Sequence, residues 1–94
     1  MSDIRRVNLV IRGRVHGVGF RYYARKCADE FGVTGFVRNL PNGDVETEAE
    51  GSAQAVDAFQ QAVSKGPSTA HVKEVVVMEM PPLKQDVSFE VRMF

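Results

Sequence analysis

The chain has no tryptophan and a single cysteine, Cys27, among its 94 residues. One thiol excludes an internal disulfide framework and every CxxC metal or redox pair, so zinc held by cysteine clusters is not expected. Net charge is missing as well, since twelve Lys and Arg side chains balance twelve Asp and Glu. That balance argues against nucleic acid as a partner recognised through overall positive charge. Long apolar runs are also lacking. The opening MSDIRRVNLVIRG alternates polar and apolar residues, unlike the core of a signal peptide, and no later stretch approaches the roughly 20 apolar residues of a membrane span. The expectation is a cytoplasmic protein with no membrane partner.

Hydrophobic residues make up 44% and charged residues 26%, the mix of an ordinary globular chain. The length suits one small domain spanning residues 1–94. Charge is unevenly spread. Residues 1–38 carry eight basic and three acidic side chains, a net of +5, while residues 39–94 carry four basic and nine acidic, a net of −5. Positive potential is therefore concentrated in the half that holds the glycine-rich stretch GRVHGVGFR, residues 13–21.

Val7, Leu9 and Ile11 alternate with Asn8, Val10 and Arg12, the two-residue period of a strand. After the glycine loop, Phe20, Ala24, Cys27 and Phe31 recur at helical spacing, and Gly32 is placed to stop that helix. Residues 33–39 read as a second strand, 40–43 as a turn and 44–50 as a third strand, with Val45, Thr47 and Ala49 inward and Glu46, Glu48 and Glu50 outward. Ser52 is an N-cap for a second helix carrying Val56, Phe59 and Val63, which ends near Gly66-Pro67. Residues 72–80 form a fourth strand, Pro81-Pro82 a break and residues 87–93 a short fifth strand. Strand, helix, strand, strand, helix, strand is the order of an α+β, ferredoxin-like split βαβ sandwich, with two helices on one face of a mainly antiparallel sheet. In that topology the first and second strands run parallel with the third between them. Their C-terminal ends, and with them the glycine loop and Asn39, share one sheet edge roughly 10 Å apart.

Arg21 falls in the first turn of the first helix, where the helix dipole disfavours a cation. An anion nearby would resolve the conflict. Gly17 and Gly19 allow the backbone conformations that turn consecutive N–H groups inward, and Arg21 adds a planar fork suited to phosphate. The stretch lacks the Gly-Lys-Ser/Thr of a nucleotide loop and the GxGxxG of a dinucleotide fingerprint, so a group the size of one phosphate fits better. On the loop alone, an anion nest and a plain glycine connection with solvated arginines both stand. Asn39, likewise, is a turn-former or an uncharged amide able to hold a water against a phosphoryl oxygen.

Together the two stretches resemble the acylphosphatases, enzymes that hydrolyse the bond between a carboxyl group and phosphate. The family's first motif, from an aliphatic residue to arginine, is matched by Ile11, Gly13, Val15, Gly17, Val18, Phe20 and Arg21, with His16 where glutamine is commoner. Its second motif is matched by Gly35, Phe36, Val37, Arg38, Asn39, Gly43, Val45 and Gly51. The resemblance covers nearly the whole chain. It implies that Arg21 binds the phosphoryl group together with the backbone amides of Val15, His16, Gly17, Val18, Gly19 and Phe20, and that Asn39 orients the attacking water. A carboxylate is a good leaving group, and the chain carries no HExxH motif or EF-hand loop, so a metal-independent hydrolase with no cofactor is expected, with a monomer as the default. The family suggests small metabolic acyl phosphates such as 1,3-bisphosphoglycerate, carbamoyl phosphate and acetyl phosphate as substrates.

Other chemistry-bearing residues have plainer readings. Cys27 lies on the apolar helix face and reads as core, His16 as a solvated loop residue, and His71 as a surface loop residue. Glu46, Glu48 and Glu50 read as a solvated edge, while Arg12, Arg14, Arg25 and Arg38 are surface charges able to steer an anion. Two further functions remain at this level: RNA binding on the sheet, for which the RNP1 pattern is missing, and a non-catalytic phosphate-binding module that would not need Asn39.

Overall fold

A computed structural model describes residues 4–84 and 87–93. The alternation of Val7, Leu9 and Ile11 lies in β1 (Ile4–Arg14), where all three side chains are fully buried. Helix α1 (Phe20–Phe31) follows the glycine loop, then β2 (Thr34–Asn39), β3 (Val45–Ser52), α2 (Ala53–Lys65), β4 (His71–Met80) and β5 (Phe89–Arg92). The strands form one sheet in the order β4-β1-β3-β2-β5; every adjacent pair is antiparallel except β2 and β5. Both helices pack on the same face. Phe20, Ala24, Cys27 and Ala28 of α1 and Val56, Phe59 and Val63 of α2 meet the inward residues Val7, Leu9, Ile11, Val37, Val45 and Ala49 in one core. The ferredoxin-like α+β architecture follows from this packing.

The caps read from the sequence are present. Gly32 closes α1 in the left-handed region at φ 76°, its N–H donating to the Ala28 carbonyl, and the Ser52 hydroxyl accepts from the Ala55 N–H at 3.1 Å. Boundaries shift at several ends. β1 runs on through Arg14 because β4 pairs with it that far, past the end of its β3 pairing at Ile11, with a break in the β4 register between Arg12 and Gly13. Asp44 precedes β3, its N–H bonded to Asn42 Oδ1 at 3.0 Å within the turn, and His71 opens β4 instead of lying in a loop, though it is exposed.

One expectation is corrected. The three glutamates do not line a solvated edge, because β3 is the central strand of the sheet. Its neighbours supply partners in register. Arg6 donates to Glu48 at 2.6 Å and to Glu50 at 3.1 Å, Asn8 bridges Glu46 and Glu48 at 2.9 Å each, and Arg38 reaches Glu46 at 2.5 Å. Arg6 and Glu50 are both more than nine-tenths buried. Glu50 also accepts the N–H groups of Leu83 and Lys84, at 2.8 and 3.0 Å, so the segment after β4 folds over this end of the open face.

Burial by itself raises the Glu50 pKa, but the Leu83 N–H, the Arg6 guanidinium and the Lys84 N–H outweigh it and hold the carboxyl below its ordinary 4.5. The unfolded chain therefore takes up a proton at this site before the folded chain does. Stability from Glu50 is fully present above the ordinary value and is lost as pH falls through the lower folded value. The urea midpoint of the wild type is expected to drop on acidification below about pH 4.5. Glu50→Gln should be less stable at neutral pH and should lose part of that acid dependence; an unchanged acid dependence would remove Glu50 from the account.

Two motif glycines are explained by close backbone approach. At Gly35, φ is 139° and an added Cβ would stand 2.0 Å from the Glu48 carbonyl oxygen; at Gly13, φ is 130° and the Cβ would stand 2.2 Å from the His71 carbonyl oxygen. Neither obstacle is a flexible side chain. Gly35→Ala is expected to cost about 3 kcal/mol, combining backbone strain with a forced separation of β2 from β3. Urea unfolding measures it, and a loss within the ~0.5 kcal/mol of a neutral surface change would contradict the packing argument.

Candidate active site

Because β3 lies between β1 and β2 and is antiparallel to both, β1 and β2 run parallel and end on the same sheet edge. The loop leaving β1 and the last residue of β2, Asn39, are thereby brought together. Val15 and Phe20 are buried and anchor the two ends of the loop in the core. Between them Gly17 and Gly19 hold φ of +73° and +75°, the left-handed region that disfavours other residues. Nothing lies within 4 Å of where a Cβ would be at either position, so glycine is required there for conformation and not for space.

Gly19 is the N-cap of α1, which has neither a side-chain cap nor an acidic residue in its first turn. The N–H groups of that turn and the positive end of the helix dipole face the same hollow. Its volume is about 290 Å³, and it is lined by Val15, His16, Gly17, Gly19, Phe20, Arg21, Tyr22 and Asn39. All but one of the residues expected at the site therefore line one concavity. Val18 does not: it packs against the core, and its carbonyl accepts a hydrogen bond from Thr69 Oγ1 at 3.0 Å, which ties the loop to the α2–β4 connection.

Arg21 is partly exposed and donates from Nη1 to the backbone carbonyl of Arg92 at 2.9 Å. The strand that presents this carbonyl is itself fixed on β2. The Arg92 guanidinium lies 4.2 Å from the centre of the Phe36 ring and is bonded to Glu90 at 2.9 Å. One contact on one nitrogen orients the Arg21 fork and leaves most of its five donors for another partner. Sequence reasoning missed both this brace and Tyr22. A main-chain acceptor has no residue signature, and Tyr22 carried no signal because it falls off the apolar helix stripe and is 68% exposed.

The remaining charged residues divide between pairing and solvent. Arg12 forms ion pairs with Asp44 and Glu74, both at 3.4 Å, within a wider groove of about 890 Å³ that also includes Arg14, His71 and Lys73 but none of the residues from 15 to 21. Arg38 is paired with Glu46. Cys27 is buried, and loss of solvent pushes its thiol pKa up, which suits a core residue and not a nucleophile. Among the described residues, no group of three or more His, Cys, Asp or Glu side chains is placed to hold a metal ion, and no helix is long and apolar enough to cross a membrane.

A family model described as acylphosphatase matches residues 7–91. The acylphosphatase of Methylococcus capsulatus is 43% identical over 88 residues, covering 94% of this chain and 96% of that protein. That of Oceanobacillus iheyensis is 39% identical over 90 residues, covering 95% and 99%. The crystal structure of acylphosphatase from Bacillus subtilis superposes with a TM-score of 0.89 at 34% identity, covering 94% of this chain and 98% of that one. With the family model matching residues 7–91, and with its fold and nearly its full length in agreement with these relatives, the chain belongs to the acylphosphatase family and is an enzyme of that family.

Proposed function

We propose that the chain hydrolyses acyl phosphates to a carboxylate and inorganic phosphate by in-line attack of water on phosphorus. The phosphoryl group sits in the glycine loop, its oxygens taken by backbone N–H groups of residues 15–20 and by the Arg21 donors not used on Arg92. Asn39 accepts a hydrogen bond from the water through its amide oxygen and donates to a phosphoryl oxygen through its amide nitrogen. The water oxygen bonds to phosphorus as the bond to the acyl oxygen breaks. The carboxylate leaves with that electron pair, and the water protons pass to the product phosphate and to solvent.

A carboxylate is a good leaving group, so little general-acid help is needed, and positioning with charge stabilisation carries most of the rate. The steps as written use no metal and form no covalent enzyme intermediate. His16 contributes its backbone, which leaves the identity of its side chain free.

The observation that carries this reading is the meeting of a braced arginine, a neutral amide and two left-handed glycines around one hollow. The amide separates it from the rival reading, a module that only binds phosphate. Benzoyl phosphate hydrolysis in the presence of a metal chelator is the test. Turnover well above the buffer rate is expected; inorganic phosphate binding without turnover would instead favour the binding module.

A further inference from the structure

The sequence outlines no place for the acyl half of the substrate, but the fold does. A second hollow of about 540 Å³ is lined by His16, Arg21, Arg38, Asn39, Leu40, Pro41 and Met93. His16, Arg21 and Asn39 also line the loop hollow, so the two adjoin. Their chemistry differs. The loop hollow is built of backbone around a cation, whereas the second gains Leu40 and Pro41 from the turn after β2 and Met93 from the chain just beyond β5. The parallel pairing of β2 and β5 brings these distant segments side by side, Val37 opposite Val91 and Arg38 opposite Arg92. Arg38 closes one flank with its guanidinium paired to Glu46, so the groove does not present it as an unsatisfied charge.

Resting on the reading above, we infer that this groove is the acyl subsite and that Leu40, Pro41 and Met93 select acyl phosphates with an apolar chain or ring over the smallest polar ones. The bond to the leaving oxygen lies opposite the attacking water. The acyl carbonyl must therefore pass Arg21 or His16, the two shared residues that do not hold the water, before its chain turns along Leu40, Pro41 and Met93. An acetyl group ends before reaching these side chains. A six-carbon chain extends along them and removes part of their apolar surface, and its own, from water. Leu40 is half-buried and Met93 is 74% exposed, so both are available to a ligand and neither supports the core. They set specificity; they do not touch the reacting phosphorus.

The experiment compares acetyl phosphate with hexanoyl phosphate, whose leaving carboxylates have nearly equal acidity, on the wild type and on a Leu40→Ser/Met93→Ser double variant. Wild type is expected to favour hexanoyl phosphate by about tenfold in kcat/KM, mainly through KM, since an open groove captures part of the full burial of four added methylenes. The double variant should lose that preference and keep its acetyl phosphate activity within about twofold. Met93→Glu alone should lower hexanoyl phosphate turnover in the same direction by introducing a charge where the chain lies. Hydrolysis of both substrates with no preference in the wild type, or an equal loss on both in the variants, overturns the subsite and leaves the hydrolase standing. Absence of hydrolysis of either substrate by the wild type overturns both.

Discussion

Arg21→Ala is expected to lower kcat/KM for an acyl phosphate by about a thousandfold or more and to abolish detectable binding of inorganic phosphate. The size follows from what the guanidinium supplies. It is a fixed positive charge with several donors, already oriented by the Arg92 carbonyl at 2.9 Å, and a backbone nest alone does not replace it. Arg21→Lys should recover only part of the rate, because an ammonium keeps the charge but loses the planar fork. Stability should move the other way. A cation in the first turn of α1 is disfavoured by up to about 1 kcal/mol, so the alanine variant should unfold at an equal or slightly higher urea concentration in the absence of phosphate. Added phosphate, which stabilises a protein that binds it only when folded, should raise the wild-type midpoint and leave the variant unmoved. A variant that binds phosphate as tightly as the wild type would remove Arg21 from the site.

Asn39→Ala is expected to separate binding from turnover. If, as proposed, phosphate is held by Arg21 and the loop, its affinity should stay within about threefold, whereas kcat should fall by about a hundredfold through loss of water positioning. Asn39→Asp gives a sharper contrast. A carboxylate in the same place could still accept from water, but it cannot donate to a phosphoryl oxygen and adds negative charge beside an anion, so phosphate binding and turnover should both drop. If Asn39→Ala hydrolysed substrate at the wild-type rate, the water-holding role would have to pass to another group.

The sequence made legible the features that depend on periodicity and backbone conformation. The burial of Val7, Leu9 and Ile11, the stripe of Phe20, Ala24 and Cys27, the stop at Gly32 and the cap at Ser52 are local properties, and each holds. The meeting of the glycine loop with Asn39 was also within reach, because the split βαβ order forces two parallel strands to end on the same edge. What escaped depends on pairing between distant segments. Alternating glutamates look the same on an edge strand as on a central one, and only the register against Arg6, Asn8 and Arg38 turns them into a paired polar face. Val18 matches the loop motif as well as its neighbours do, yet its side chain serves the core. The Arg92 carbonyl and the Leu40–Met93 groove arise from the β2–β5 contact, which joins residues more than fifty positions apart.

Hydrolysis in water enriched with heavy oxygen tests most directly whether water attacks phosphorus, as the proposed role of Asn39 requires. With the label in the solvent and single-turnover amounts of acyl phosphate, one heavy oxygen is expected in the inorganic phosphate and none in the released carboxylate. Label in the carboxylate would show that water attacks the carbonyl carbon instead, and would contradict the placement of the phosphoryl group, Arg21 and Asn39 around a reacting phosphorus.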